Sequence, residues 1–284
     1  MFEITKKQLL AENIYLMDVA APRVAKSAQP GQFVIVRVGE TGERIPLTIC
    51  DYNAGTGAVT IVTQVVGASS RKICALGEGD SFTDFVGPLG CPSELVHLSG
   101  EALRQKSVLF IAGGLGAAPV YPQVKWLCEQ GAKADVIVGA KSRDFLILQP
   151  ELAAVARNLH VATDDGSTGF KGLVTELLKH LIDVEGKKYD IVVAIGPMIM
   201  MKFVALATKA YGIATIVSLN TLMVDGTGMC GACRVSVGGK TRFTCVDGPE
   251  FDGHLVDFDE ALRRQGMYRA MEKEKEAECK CLPA

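Results

Sequence analysis

The chain has 284 residues, of which 48% are hydrophobic and 22% charged, so it can form two or three compact units with sizeable cores. Its net charge is −2 and it has no basic stripe, which argues against nucleic-acid binding. The longest uncharged stretch, 107–124, contains glycines and two prolines, which is not the composition of a membrane span.

Residues 1–100 are predicted to form an antiparallel β-barrel domain. Short apolar alternations at 14–19, 33–38 and 58–65 are separated by turn sequences rich in glycine, and evenly spaced short strands are typical of a barrel.

Two motifs of this domain could contact a ligand. Arg44 precedes Ile-Pro-Leu-Thr at a strand start, where an arginine can pair with a diphosphate and a threonine hydroxyl can hydrogen-bond a ring nitrogen. Gly67-Ala-Ser-Ser70 offers N–H and hydroxyl donors to the same phosphates. Taken singly, each motif also fits an ordinary turn.

Residues 101–217 are predicted to form a doubly wound parallel α/β domain, because apolar strands and helical patterns alternate there. The predicted strands are 107–112, 134–140, 160–163 and 191–195. The predicted helices are a helical pattern that follows Pro119 through Gln130, and the segments 151–158, 173–181 and 198–211.

Three glycine- or aspartate-rich loops follow these strands. They are Gly113-Gly114-Leu-Gly116, Asp164-Asp165 and Gly196-Pro197. Glycines between a strand and a helix let backbone N–H groups approach a pyrophosphate, and ligands of open α/β sheets bind at the carboxyl ends of the strands. Plain turn chemistry explains each loop alone, but their convergence favours nucleotide binding.

Residues 218–284 are predicted to form a small [2Fe–2S] domain with a charged C-terminal helix over 259–278. Plant-type [2Fe–2S] sites use C-x4-C-x2-C…C. Cys230, Cys233 and Cys245 match the last three ligands, and the remaining spacing places Asp225 at the first, where a carboxylate can bind ferric iron. The glycines between these positions allow a tight loop whose N–H groups face sulfur. Residues 235–243 are predicted to form a hairpin that turns at Gly238-Gly239.

Two alternatives remain for the cysteines. One is a structural zinc site, completed by Asp225 or by Cys279 or Cys281, although zinc sites usually pair two C-x2-C motifs. The other is a group of free buried thiols. The N-terminal sequence lacks a signal-peptide pattern, and nine cysteines then favour a reducing, cytoplasmic setting in which thiols serve as ligands.

The order of these motifs resembles the ferredoxin-NADP reductase superfamily. The residues that carry the resemblance are Arg-x-x-x-Thr at 44–48, Ala-Gly-Gly-Leu-Gly-Ala-Ala-Pro at 112–119, Gly-Pro-x-x-Met-Met at 196–201, and the cysteine segment. The branch with a C-terminal [2Fe–2S] domain is the most similar; it includes electron-transfer subunits of dihydroorotate dehydrogenase and small subunits of NADH-dependent ferredoxin:NADP oxidoreductase. Asp225, where the dihydroorotate branch carries Cys, resembles the second type.

The resemblance implies roles for individual residues. The flavin ring would contact Pro46, Leu47 and Thr48, with Thr48 near N5 as the residue closest to the chemistry. Two sets would hold the rest of FAD and the nicotinamide dinucleotide: Thr63, Gln64, Gly67, Ser69 and Ser70 for FAD, and Gly113, Gly114, Gly116, Asp164, Asp165, Gly196 and Pro197 for NAD(H). The superfamily pattern places Arg three positions before the hydroxyl residue, whereas Arg44 lies four before Thr48, and Leu47 replaces the usual aromatic.

The expected function is electron transfer between NAD(H), FAD and a [2Fe–2S] cluster. The resemblance implies a partner, a larger flavin and [4Fe–4S] subunit that handles NADP(H) and ferredoxin and performs electron bifurcation. Lys141-Ser142-Arg143 after a strand could accept a 2′-phosphate and by chemistry favours NADP(H), but the resemblance favours NAD(H). The alternatives are an electron-transfer subunit of dihydroorotate dehydrogenase and a zinc-stabilised, nucleotide-binding interaction module without redox activity.

Overall fold

The computed structural model describes residues 2–278. The N-terminal part is a seven-stranded antiparallel sheet with the strand order β6-β1-β2-β5-β4-β3-β7. Its strands are β1 (Phe2–Ala11), β2 (Ile14–Ala20), β3 (Phe33–Arg37), β4 (Ile45–Asn53), β5 (Ala58–Gln64), β6 (Ser81–Phe82) and β7 (Asp84–Leu89). The two edge strands, β6 and β7, are separated in the chain by Thr83 alone, so the edges meet and the sheet is nearly closed into the predicted barrel.

The barrel encloses one apolar core because alternate residues of its strands point inward. Ile4, Met17, Val34, Ile61 and Phe82 are fully buried there. Two short helices, α1 (Pro22–Ser27) and α2 (Ala68–Ala75), accompany the strands. The second of them follows directly on the end of β5.

The second sheet has the order β11-β10-β9-β8-β12-β13-β16. Its strands are β8 (Val108–Gly113), β9 (Asp135–Ala140), β10 (Asn158–Thr163), β11 (Phe170–Lys171), β12 (Ile191–Ile195), β13 (Ala214–Ser218) and β16 (Glu250–Asp252). All pair in parallel except β16, which is antiparallel to β13. From β8, successive strands are added on one side as β9, β10 and β11 and then on the other side as β12 and β13, which is the order of a doubly wound nucleotide-binding sheet.

Helices cover both faces of this sheet. They are α3 (Gly100–Gln105), α4 (Ala117–Glu129), α5 (Gln149–Val155), α6 (Val174–Asp183) and α7 (Met198–Ala210). One face packs with α4 and α5 and joins the barrel through residues such as Ile14 and Val62, which share a core with Phe110 and Val124. The other face packs with α6 and α7. The predicted strands and helices of this part are therefore confirmed, with shifts of a few residues at their ends.

The cysteine segment contains the expected hairpin, β14 (Arg234–Val237) and β15 (Lys240–Phe243), followed by one turn of helix, α8 (Thr244–Asp247). The expectation of a single helix over 259–278 was wrong: α9 (Phe258–Gln265) ends at Gly266, and α10 (Arg269–Glu278) starts after a short turn. Glycine weakens a helix interior, which explains the break. Among the described residues, no helix is both long and apolar enough to cross a membrane.

Candidate flavin, nucleotide and cluster sites

The residues predicted to line the flavin lie at the start of β4. Pro46, Leu47 and Thr48 pair with Ile35, Val34 and Phe33 of β3 in antiparallel register. All three β4 residues are half-buried. Leu47 packs against the barrel core, whereas Pro46 and Thr48 alternate with it along the strand and share the opposite face. The structure therefore brings these three together on one strand of the barrel.

The residues predicted to hold the remainder of FAD lie where β5 passes into α2, but they differ in accessibility. Thr63 is 2% exposed, and its hydroxyl hydrogen-bonds the Cys74 thiol, so its side chain faces the interior. Gln64 is half-buried. Gly67 has open space where a side chain would stand, which leaves room for a ligand beside its backbone.

The two serines of α2 are engaged by the protein itself. The Ser70 hydroxyl accepts hydrogen bonds from the N–H groups of Val66 and Gly67, at 2.9 and 3.0 Å, and so closes the turn into the helix. The Ser69 hydroxyl donates to the Glu43 carboxylate. An anion bound at Ser69 would have to displace that carboxylate, and the phosphate role of Ser69 stays a prediction.

The loops predicted to bind the dinucleotide lie at the carboxyl ends of the parallel strands, after β8, β10 and β12. Gly114 has φ +54° and open space where a Cβ would stand, which leaves room for a ligand beside its backbone. Two other glycines serve loop packing. A Cβ on Gly116 would lie 2.0 Å from the Ile195 carbonyl oxygen, and one on Gly196 would lie 3.1 Å from the Gly113 Cα. The close contact holds the Gly113–Gly116 turn against the Gly196-Pro197 turn.

This contact predicts a contrast between two alanine substitutions. Gly116→Ala should destabilise the protein by roughly 2 kcal/mol, because the new methyl group overlaps backbone that cannot retreat. Gly114→Ala should cost only about 1 kcal/mol, the penalty of a left-handed backbone for alanine. Urea unfolding of both variants measures the difference, and equal midpoints would show that the loops do not pack as described.

The two aspartates follow β10. The N–H groups of Asp164 and Asp165 donate to the carbonyls of Ala140 and Lys141, which ties their loop to the end of β9. The Asp165 carboxylate accepts from Ser167, whose hydrogen bonds lower the pKa of this exposed group. The Ser167 hydroxyl in turn accepts from the Arg143 N–H at 2.8 Å. The loop proposed to discriminate NADP(H) therefore adjoins the aspartate loop.

Two of the predicted iron ligands are in contact. The sulfur atoms of Cys233 and Cys245 lie 3.2 Å apart, and both residues are buried. Burial, reinforced by the neighbouring thiol, raises the pKa of Cys245 to about 12, whereas a hydrogen bond from the Gly228 N–H favours its thiolate. A bound metal cation would offset that cost of ionisation. The expected glycine N–H directed at sulfur is present at this position.

The other two predicted ligands lie on the exposed side of the same loop. Cys230 is exposed. The Asp225 carboxylate accepts from the Thr227 hydroxyl at 2.8 Å and from the N–H groups of Thr227 and Met229, both at 3.1 Å. Its pKa is lowered, first by the Thr227 hydroxyl, so it is ionised and directed into the turn. Cys279 and Cys281, the alternative ligands, lie outside the described residues.

The chemistry of the donor set fits an iron–sulfur cluster, because three thiols and a carboxylate distributed along a glycine-rich loop provide the four protein ligands that a [2Fe–2S] site uses. Within residues 2–278, no group of three or more His, Cys, Asp or Glu side chains is arranged to hold a single metal ion.

The cysteine loop packs directly on β3, the barrel strand that pairs with the predicted flavin residues. Phe33 and Ile35 of β3 share a small buried core with Met223, Cys233 and Cys245. The Ile35 side chain also lies against Gly226, where a Cβ would be 2.9 Å from its Cδ1. Since Ile35 pairs with Pro46, a single strand separates the predicted flavin residues from the predicted cluster ligands.

Sequence reasoning missed several contacts around this site. Arg44 reaches the cysteine loop, where its Nη2 donates to the Asp225 carbonyl at 3.3 Å. Glu250 of β16 is buried between Ser93 and Gln123, at the junction of all three parts of the chain. The exposed Cys91 thiol donates to the Val246 carbonyl, next to Cys245. These contacts join residues far apart in sequence, and no local pattern signals them.

Comparisons with known proteins agree with this architecture. Residues 110–206 match the oxidoreductase NAD-binding domain, and residues 220–257 match the iron–sulfur cluster binding domain of dihydroorotate dehydrogenase B. The "uncharacterized protein in adh 3′region" of Clostridium beijerinckii is 58% identical over 96% of this chain and 92% of its own length. The dihydroorotate dehydrogenase B (NAD(+)) electron transfer subunit homolog of Thermotoga maritima is 46% identical over 95% of this chain and 93% of its own.

Among solved structures, a chain of the NADH-dependent reduced ferredoxin-NADP oxidoreductase, studied for flavin-based electron bifurcation, superposes with a TM-score of 0.90 at 44% identity. The match covers 98% of this chain and 97% of that one. The expected fold and the expected cofactors, FAD, an iron–sulfur cluster and NAD(H), are thereby confirmed, while the individual binding residues remain predictions. The chain belongs to the same oxidoreductase family as the electron transfer subunits of dihydroorotate dehydrogenase B and the superposed chain of the NADH-dependent reduced ferredoxin-NADP oxidoreductase.

Proposed function

We propose that this chain is the electron-transfer subunit of a heteromeric, electron-bifurcating NADH-dependent ferredoxin-NADP oxidoreductase. Its partner is a larger flavin and [4Fe–4S] subunit, and ferredoxin and NADP(H) react there and not on this chain. The observation that supports it best is the packing of the Asp225–Cys245 loop on β3, beside the strand that carries Pro46, Leu47 and Thr48. The predicted cytoplasmic location is part of the same proposal.

In this proposal the two sheets bring the reactants together. The Gly114–Gly116 turn contacts β5 of the barrel, so a dinucleotide held at the carboxyl ends of the parallel strands extends toward the barrel strands. The barrel and α/β parts are joined by Lys125 of α4, whose Nζ lies 2.7 and 2.8 Å from the two Asp51 carboxylate oxygens. Pro46 and Thr48 lie on the same face of β4, where Pro46 excludes water from one side of a ring system and the Thr48 hydroxyl supplies a hydrogen bond to it. Leu47 lies on the opposite face of the strand and packs against the barrel core.

On the cluster side, Cys230, Cys233 and Cys245 supply three thiolates and Asp225 supplies a carboxylate. The apolar contacts of Phe33, Ile35 and Met223 keep water away from the two buried sulfurs. When bound, FAD converts a two-electron hydride transfer into single electrons, which an iron–sulfur cluster passes on one at a time.

The test is flavin, metal and sulfide analysis of the full chain purified on its own; purification with its native partner then identifies that partner. We expect one FAD and two irons per copy of this chain, flavin and iron–sulfur absorption bands, and bleaching of both by NADH in preference to NADPH. One zinc with no acid-labile sulfide would refute the proposal in favour of the zinc-stabilised module. A clear preference for NADPH would assign Lys141-Ser142-Arg143 to a 2′-phosphate.

A second function has specific support. The cysteine segment matches the iron–sulfur domain of dihydroorotate dehydrogenase B, and the Thermotoga maritima relative is described as a homolog of that enzyme's electron transfer subunit. Identification of the partner separates the two. A flavoprotein that oxidises dihydroorotate would support this second function, and a [4Fe–4S] subunit that reduces ferredoxin supports the first.

A further inference from the structure

Arg44 is the residue immediately before β4, the strand with the predicted flavin residues. Its Nη2 lies 3.3 Å from the backbone carbonyl oxygen of Asp225, to which it donates. Its Nη1 lies 3.9 Å from Oδ2 of Asp84, and 33% of its side chain is exposed. The guanidinium thus bridges the flavin strand of the barrel and the turn that carries a predicted cluster ligand.

Asp84 orients this bridge. It is the first residue of β7, and its Oδ2 also accepts a hydrogen bond from Arg37 Nε at 2.6 Å. That bond lowers the pKa of Asp84, which keeps the carboxylate ionised between the two arginines. Arg37 itself donates to the Glu40 carbonyl and has no hydrogen bond or ion pair with the cysteine loop among the described contacts. Two arginines therefore share one carboxylate, and only Arg44 reaches Asp225.

The Asp225 turn is held from two sides. Its carboxylate is oriented from within the loop by Thr227 and Met229, as described above. Its backbone is held from outside by Arg44. A permanent positive charge, since arginine stays protonated, therefore lies beside the only carboxylate among the predicted iron ligands. Hydrogen bonds and charge around an iron–sulfur site are among the factors that set its reduction potential.

We propose that Arg44 is a positioning residue for the cluster, and that its charge raises the cluster's reduction potential. The inference depends on the proposed function, in which Asp225 binds iron. A reduced site carries one more negative charge than an oxidised one, and a nearby cation stabilises the reduced form more. Arg44 also fixes the loop at a set distance from the strand of Pro46, Leu47 and Thr48. This role differs from the diphosphate contact that the superfamily pattern implies for Arg44.

The test compares Arg44→Gln, Arg44→Lys and Arg37→Gln in the protein purified with its partner. Redox titration followed by electron paramagnetic resonance gives the ratio of reduced to oxidised cluster at the potential where the wild-type cluster is half reduced. We expect Arg44→Gln to lower that ratio several-fold, with FAD content unchanged. Arg44→Lys keeps the charge and should restore most of the ratio. Arg37→Gln disturbs the same carboxylate without reaching Asp225 and should leave the ratio near that of wild type.

Three outcomes would overturn the inference. In the first, Arg44→Gln loses FAD and keeps the wild-type ratio, which would return Arg44 to the diphosphate. In the second, all three variants titrate like wild type. In the third, Arg37→Gln shifts the ratio as much as Arg44→Gln, which would make the effect a property of Asp84 and the barrel. A wild-type chain that contains no iron when purified on its own would instead refute the proposed function, so the two failures are distinguishable.

Discussion

Replacing Asp225 with alanine is expected to remove most of the iron from the protein while leaving FAD bound and reducible by NADH. The substitution deletes the predicted fourth ligand and, with it, the carboxylate that accepts from Thr227 and Met229 and closes the turn. One iron would lose a protein ligand, and the loop would lose its internal support. Iron and sulfide analysis and the visible spectrum of the purified variant measure the loss.

Asp225→Cys separates ligation from turn geometry. A thiolate completes the four-cysteine pattern, so we expect this variant to keep its cluster with a shifted reduction potential. Asp252→Ala is a matched control in the same part of the chain, because its Oδ1 also accepts from a backbone N–H two residues on, that of His254 at 2.9 Å. This control should retain full iron content.

The rival ligands Cys279 and Cys281 predict the opposite pattern. If one of them completes the site, truncation after Glu278 will bleach the cluster, and Asp225→Ala will leave the spectrum unchanged. That combination would overturn the assignment of Asp225. Retained iron in the truncated chain, together with loss in Asp225→Ala, is the result expected here.

The second large effect concerns Glu250, an acidic residue buried where the three parts of the chain meet. Its Oε1 accepts from Gln123 Nε2 at 2.7 Å and its Oε2 from the Ser93 hydroxyl at 2.9 Å. Ser93 follows the barrel, Gln123 belongs to α4, and Glu250 itself lies on β16. No salt bridge to Glu250 is found among the described residues. Burial, with a smaller contribution from Glu94, raises the pKa of Glu250 to about 7.

The sign of the pH effect follows from linkage. Since the folded pKa is above the ordinary value of 4.5, the folded protein holds this proton more tightly than the unfolded chain does between those two pH values. The stabilisation of the folded state by this proton is complete below about pH 4.5 and is lost as pH rises to about 7. Full loss corresponds to roughly 3 kcal/mol, at 1.36 kcal/mol per pKa unit.

Glu250→Gln should remove this dependence. The amide is isosteric and uncharged, and it can still accept from Gln123 and bond to Ser93. At pH 8 we expect the variant to be more stable than wild type, by up to roughly 3 kcal/mol, and at pH 5 to be similar. Urea unfolding at the two pH values measures this. Glu94→Gln is the control. Because it removes only a neighbouring charge, it should weaken the dependence of the unfolding free energy on pH and not abolish it. A variant as pH-sensitive as wild type would show that another group titrates.

Much of the fold could be predicted because its signals are local. The apolar runs at β8, β9 and β12 and the glycines that follow them identify a parallel nucleotide-binding sheet, since buried strands are continuously apolar and helix starts near phosphates require glycine. The hairpin at β14 and β15 was also predicted, from the Gly238-Gly239 turn within the short segment 235–243. The cysteine spacing likewise placed the cluster segment, because ligand spacing along a loop is a property of the chain alone.

What the amino-acid sequence determined by itself was therefore the order of domains, the cofactor classes and the candidate ligands. The tertiary structure decided how they meet: that β6 and β7 bring the barrel sheet nearly to closure, that β16 joins the second sheet, and that Arg44 contacts Asp225 across a sequence separation of 181 residues. Burial of Glu250 was decided in the same way. The hydrophobic periodicity of a segment indicates the secondary structure of that segment. Which distant residue a side chain contacts depends on how all the intervening elements pack, and no local pattern encodes that packing.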